Sequence, residues 1–277
     1  MSLREIHIPA GQRRENPVEY VVTEDSDVLI TVQQGVECTI VEQLQTKTDA
    51  CIKTTLVLQE NAHVEFVSIE NSDYVKNTVS REFIVHKDAQ LKLRSVLLGS
   101  ATHTENRKTI LQETGAATEE RECFFGTKDQ VFTCTTTISN NAPHTSANVL
   151  VKGVLGNRSR ANCVGNMCIT KAGDKSSSWL AQHVLLLSKE AKADTLPCLE
   201  IEANDVQAYH AATVRALDDE QLFYLTTRGF TQEQAKELLA RSVLQEITVQ
   251  ISNKELQRKT DELIEAKWKE LYAEVLA

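Results

Sequence analysis

The sequence predicts a β-helix, a solenoid of stacked coils, with a small helical subdomain at its C-terminal end, and three observations carry that reading. Apolar residues alternate with period two in Val28–Val32, Thr55–Leu58, Val64–Ile69, Phe83–Val85 and Leu91–Val96, as strands with two unlike faces require. Turn-like pairs recur between them at Gly35-Val36, Asn61-Ala62, Asp88-Ala89, Gly115-Ala116 and Asn141-Ala142, whose second members step by 26, 27, 27 and 26 residues. Between residues 20 and 216 no stretch of 3.6-residue periodicity runs beyond three turns. A fixed period of this size marks a stacked array in which no coil buries its apolar face alone. Coils of strands and turns point to a β-helix rather than a leucine-rich or ankyrin array, with an evenly spaced antiparallel sandwich as the alternative.

Along the chain, residues 1–19 read as a lead-in, residues 20–216 as a core of about seven coils, and residues 217–277 as the helical subdomain. Few glycines (10) and prolines (4) suit solenoid corners, where Asn and Asp can take the left-handed conformation. Near residue 217 the pattern changes. Asp218 to Leu225 opens a short helix with acidic residues at its start, closed by Gly229 after Arg228. Thr231 and Gln234 form a capping box for a second helix with an apolar stripe of Ala235, Leu238, Leu239, Val243, Leu244 and Ile247. Ser252 and Glu255 repeat the device for a third, striped by Leu256, Leu263, Ile264, Trp268, Leu271, Tyr272 and Val275. These helices are expected to cover the strand edges of the solenoid's last coil.

Composition narrows the function. The 277 residues carry Lys+Arg 30 against Asp+Glu 39, a formal net charge of −9, which argues against a nucleic-acid or anionic-membrane partner. No run of about 18 apolar residues could span a membrane, and residues 1–14 lack a signal-peptide h-region, so a cytoplasmic protein is expected. Seven scattered cysteines form no C-x-x-C pair, and Cys163 and Cys168 stand alone without a second zinc arm; buried free thiols are the expectation for most. Gly173-Asp174-Lys175-Ser176 resembles the end of a phosphate-binding loop, but Asp174 and Ile169 stand where glycines are needed, so no nucleotide is expected on this chain.

The segment from Pro197 to Ile247 is the specific one. Pro197-Cys198-Leu199-Glu200-Ile201, Asp205-Val206, His210-Ala211-Ala212-Thr213-Val214, Leu222-Phe223-Tyr224-Leu225 and Arg228-Gly229 together resemble the SufB/SufD family of SUF iron–sulfur cluster assembly scaffolds. The resemblance is dense over these fifty residues and looser back to about Trp179. It implies a right-handed parallel β-helix without catalytic turnover, pairing with a SufB-like or identical subunit. It also implies a SufC-type ABC ATPase docked on the C-terminal helices, with Leu222, Phe223, Tyr224, Arg228 and Gly229 as contact candidates, and a transient iron–sulfur cluster at the pairing interface. The spacing around Leu185–Leu187 and Pro197 looks SufD-like. Gln182 stands where SufB-like chains carry a cysteine, and Ala211 where they carry a glutamate. Ala208-Tyr209-His210-Ala211 replaces the Cys-Ser-His-Gly frequent in SufD-like chains, and the helical N-terminal extension usual in the family is missing. The matching His210 is the metal-ligand candidate, with Cys198 and His183 as further cofactor-binding candidates. If Leu199 and Ile201 face the coil interior, Cys198 and Glu200 face outward. Two readings compete: a β-helix enzyme acting on acidic polysaccharides, which would need paired carboxylates in a long outer groove, and a purely structural ATPase partner.

Overall fold

The computed structural model describes residues 3–11, 14 and 16–273. Sixteen strands follow one another among them: β1 (Leu3–Ile8), β2 (Val18–Val22), β3 (Ser26–Val32), β4 (Glu37–Leu44), β5 (Ala50–Leu58), β6 (His63–Glu70), β7 (Lys76–Val85) and β8 (Gln90–Leu97). The second half holds β9 (Thr102–Leu111), β10 (Ala117–Gly126), β11 (Val131–Asn140), β12 (Ser146–Leu155), β13 (Arg160–Ile169), β14 (Ser177–Leu186), β15 (Lys192–Ile201) and β16 (Gln207–Ala216). Odd-numbered strands form one eight-stranded sheet and even-numbered strands a second, each strand pairing with the next but one. All the pairings are parallel, as in Val28 with Thr54 and Leu93 with Glu120. The molecule is therefore a β-solenoid of eight coils rather than seven. The extra coil is β1 with β2, which places a strand inside the expected lead-in. Its alternation is faint in the sequence because β1 turns only Ile6 and Ile8 toward the core.

The predicted corners are real as far as Ala116. Gly35, Asn61, Asp88 and Gly115 all have positive φ, between 53° and 77°. Each precedes a buried residue on the inner wall: Val36, Ala62, Ala89 and Ala116. The fifth landmark is wrong in register. Ala117 pairs with Ser146, so the successor of Ala116 is Thr145, behind His144 at φ 58°, and the next is Ser176, behind Lys175 at φ 61°. Coils lengthen at this point, from 27 residues between Gln90 and Ala117 to 31 between Ser146 and Ser177. The small apolar corner residue gives way to a hydroxyl pair, Thr145 and Ser176, 2.7 Å apart.

Inside, apolar side chains such as Phe66, Phe83, Phe124 and Phe132 fill most of the lumen. One axial stretch is ionic. Glu42 accepts hydrogen bonds from Tyr20 (2.8 Å), Thr54 (2.8 Å), Ser68 (2.9 Å) and Arg81. Arg81 also bridges to Glu105 at 2.6 Å, which is shared with His103 and Arg107. Arg107 continues to Glu120 at 3.0 Å, to Glu122 and to Thr136 at 3.0 Å. These charges are removed from water, so they are tolerable only because each faces an opposite charge. Cys38, Cys123, Cys134 and Cys163 are buried free thiols, and burial pushes the Cys163 thiol up to about 12. They behave as small hydrophobes, as expected.

Three helices follow: α1 (Asp219–Thr227), α2 (Gln232–Thr248) and α3 (Lys254–Ala273). The Thr231–Gln234 capping box is present. At the third helix the cap shifts by one residue: Asn253 Oδ1 accepts from Leu256 N at 3.0 Å, while Ser252 N donates to Glu65 of β6 at 3.0 Å. The expectation that the helices cover the last coil is overturned. α2 and α3 lie along the outer face of the even-numbered sheet, where Val96, Cys123, Phe125, Val154 and Leu185 meet Ala240, Leu244, Ile247, Ile264, Trp268 and Leu271. Val41, Val67 and Ile69 meet Ile251 and Leu256 in the same way. The later residues of β6, β8 and β10 are buried on both faces, with Val67, Ile69, Val96, Cys123 and Phe125 turned outward, and an apolar outer face of that kind requires a cover. Leu238 of the expected stripe is instead exposed. Val275 and the Tyr272 side chain lie outside the described residues. Among the described residues no helix is long and apolar enough to cross a membrane.

Candidate functional site

Among the described residues, nothing covers the lumen side of the last coil, formed by β15 and β16. Register fixes which of its side chains face the lumen. On β15, Leu199 and Ile201 pair with the buried Met167 and Ile169. On β16, His210, Ala212 and Val214 pair with the buried Leu180, Gln182 and Val184. With no ninth coil above them, Leu199, Ile201 and Val214 are 38%, 43% and 38% exposed. Both strands also keep one free edge of backbone donors and acceptors. The alternation inferred for Leu199 and Ile201 therefore holds, but the burial it implies in an interior coil does not.

The three ligand candidates point three ways. His210 belongs to the lumen-facing row of the open end, above Leu180. Cys198 is exposed on the outer face of the odd-numbered sheet, beside Asn166; its neighbour on that face, Glu200, accepts a weak hydrogen bond from Cys168 Sγ at 3.8 Å. His183 lies on the outer face of the even-numbered sheet, beside α2, in a cavity of about 270 Å³. Among the described residues no group of three or more His, Cys, Asp or Glu side chains could hold a metal ion. One copy of this chain thus offers a single imidazole at its open end. Beneath Ala212, two residues along the same row, Gln182 is 2% exposed and its Oε1 has no hydrogen-bond partner among the described residues.

The helix candidates divide as well. Leu222 is buried, but Phe223 and Tyr224 are 71% and 55% exposed. The Arg228 guanidinium sits 5.1 Å from the Tyr224 ring centroid, and Gly229 ends the helix at φ 95°. Phe230 and Leu238 extend the exposed apolar set onto the next turn and helix. Sequence reasoning missed the Trp179–Tyr209 pair, whose ring centroids are 4.9 Å apart on the last two strands of the even-numbered sheet. Their separation of one late coil was the available signal. It also missed the ionic lumen. Glu42, Glu105, Glu120 and Glu122 lie inside the coils, tied to Arg81 and Arg107.

Comparison with known proteins points to one family. The family profile described as "SUF system FeS cluster assembly, SufBD core domain" matches residues 19–243. The chain is similar to the iron-sulfur cluster assembly protein SufD of Escherichia coli K12, 27% identical over 267 residues, covering 89% of this chain and 62% of that protein. It is also similar to an iron-sulfur cluster assembly SufBD family protein of Staphylococcus epidermidis, 25% identical over 197 residues, covering 71% of this chain and 42% of that protein. A Staphylococcus aureus USA300 member of the same description gives the same figures. The chain spans about two fifths to three fifths of the length of these relatives.

Proposed function

The chain belongs to the SufBD core family of the SUF iron–sulfur cluster assembly system, and from that membership we propose that it is a SufD-like scaffold component rather than an enzyme. It pairs through its open C-terminal coil with a SufB-like chain or a second copy of itself. The observation that carries this reading is the exposure of Leu199, Ile201 and Val214, whose counterparts Met167, Ile169 and Val184 in the preceding coil are buried. An apolar, strand-edged surface of this kind is covered most simply by the same surface of a partner. His210 then lies at the junction, where a borderline imidazole supplies one ligand to a transient iron–sulfur cluster. Gln182 and Ala211 give the chain no thiolate or carboxylate there, so the remaining ligands come from the partner, and cluster binding by this chain alone is weak. A SufC-type ATPase docks on the exposed Phe223–Tyr224 face of α1.

The test is light scattering of the full chain, alone and with a SufB-like subunit, followed by anaerobic reconstitution with iron and sulfide. Pairing is expected in at least one of the two mixtures, lost in Leu199→Lys/Ile201→Lys. In the paired complex, His210→Ala is expected to leave assembly intact and to lower the visible cluster absorbance. A 30.9 kDa monomer in both mixtures refutes the pairing, and wild-type cluster yield in His210→Ala refutes the ligand.

A further inference from the structure

His183 remains unused by the scaffold reading, and its surroundings are chemically distinct from the rest of the surface. Lys152 of β12, His183 of β14 and Thr213 of β16 are successive partners across the even-numbered sheet, so their side chains stand in one outward row. Arg215, two residues on from Thr213, leaves the same face of β16. Val243 of α2 walls the cavity of about 270 Å³ into which all four project. Three basic groups thus share one recess on a chain whose formal net charge is −9.

The opposing charges are few. Glu246 of α2 pairs with Lys152 at 2.9 Å and is itself half exposed. Asp218 lines an adjoining recess with Arg215, but its carboxylate accepts the Glu220 backbone N–H at 2.9 Å as the cap of α1. Among the described residues Arg215 has no ion-pair partner. Burial, then the Lys152 ammonium and, less strongly, Arg215, hold the His183 imidazole below its ordinary pKa, with Glu246 opposing. The recess therefore holds a guanidinium free to fork onto oxygens, an ammonium, a hydroxyl donor and a neutral imidazole ready to take up a proton.

We propose that this cavity is a binding site for a phosphate-class oxyanion, clamped by Arg215 and Lys152, with the Thr213 hydroxyl donating and His183 becoming protonated as the anion enters. The volume exceeds what one orthophosphate fills, so a pyrophosphate or a phosphate ester is accommodated. The site opens beside the last strand, on the sheet face opposite His210, and does not depend on the cluster reading.

The experiment is an NMR titration of the imidazoles of the full chain, with His183 among the 7 histidines assigned through His183→Gln. Inorganic phosphate, pyrophosphate and AMP are the probes. A saturable change at millimolar or lower concentration, with the His183 pKa rising, is expected. Arg215→Gln and Lys152→Gln should each weaken it at least about tenfold while the far-UV spectrum stays unchanged. Tighter binding of pyrophosphate than of AMP identifies a free anion as the ligand, and the reverse order identifies the phosphate end of a nucleotide. Absence of any His183 change up to about 10 mM of all three, or wild-type affinity in both variants, overturns the proposal.

Discussion

At the scale of single residues, parity along a strand decides what each side chain can do. Period-two alternation in the sequence was enough to turn Cys198 outward and Leu199 inward. It could not show that His183 and His210 lie on opposite faces. Their separation of 27 residues matches the early coils, and would have stacked them, but the coil there runs 30 residues, from His183 to Thr213. The ionic lumen was equally hidden, because Glu42, Arg81 and Arg107 look like ordinary surface positions until the register brings them together. Its removal is testable. Arg81→Met leaves Glu42 as a buried anion with no facing cation and Glu105 with only Arg107 and His103, and should cost about 3–5 kcal/mol by urea unfolding. The same network makes stability pH-dependent. Burial alone pushes the Glu42 and Glu105 carboxyls up, but the Arg81 guanidinium and the surrounding hydrogen bonds overcome it and hold both below their usual range. Burial also raises Glu70, and the charge of His103 with the hydrogen bonds of Ser100, Ser72 and Gly99 lowers it further than burial lifts it. Such depressed groups stabilise the fold fully above their unfolded pKa of about 4.3 and lose that contribution as pH falls through the folded value. Melting temperature should therefore drop steeply below about pH 4, and less steeply in Arg81→Met, where part of the linkage is already gone.

At the scale of elements, the helices were legible one by one and not in their placement. The capping box at Thr231 and the glycine after Arg228 are local signals, and both were correct. Where the apolar stripes dock depends on the outer face of strands some hundred residues earlier. The unbroken apolar runs Val96-Leu97-Leu98 and Cys123-Phe124-Phe125 were the clue, since a strand polar on one side would alternate. Two substitutions separate docking to the sheet from docking to a partner. Trp268→Ala removes a ring packed 5.9 Å from Phe125 and should cost about 3–5 kcal/mol. Phe223→Glu alters a residue 71% exposed and should shift stability by less than about 0.5 kcal/mol. Only the second should abolish co-purification with a SufC-type ATPase at unchanged melting temperature. If Phe223→Glu still captures the ATPase, the contact lies off α1.

At the scale of the whole molecule, the two ends of the solenoid differ. At the first coil the Arg4 guanidinium covers the Tyr20 ring at 5.6 Å and Ile8 is buried; at the last coil no described residue covers Leu199 or Ile201 in this way. That asymmetry followed from contacts the periodicity could not supply, since a repeat pattern looks alike at both ends. The placement of α2 and α3 has a consequence for how the chain comes apart. A plain repeat array behaves as a one-dimensional chain of neighbours, free to fray from either end and to populate half-melted forms. Here α2 and α3 run back over the coils like a clasp. Ser252 bonds Glu65 across 187 residues of sequence, and Gln250 accepts from Arg94 across 156. Early and late coils then share one fate, and loss of any middle coil strips the clasp from its seat. Unfolding should be a single transition with calorimetric and van't Hoff enthalpies in agreement. Trp268→Ala should loosen the clasp enough to split the melt in two, a C-terminal step preceding an N-terminal one; two steps already present in the unaltered chain would mean that the coils melt as independent neighbours after all.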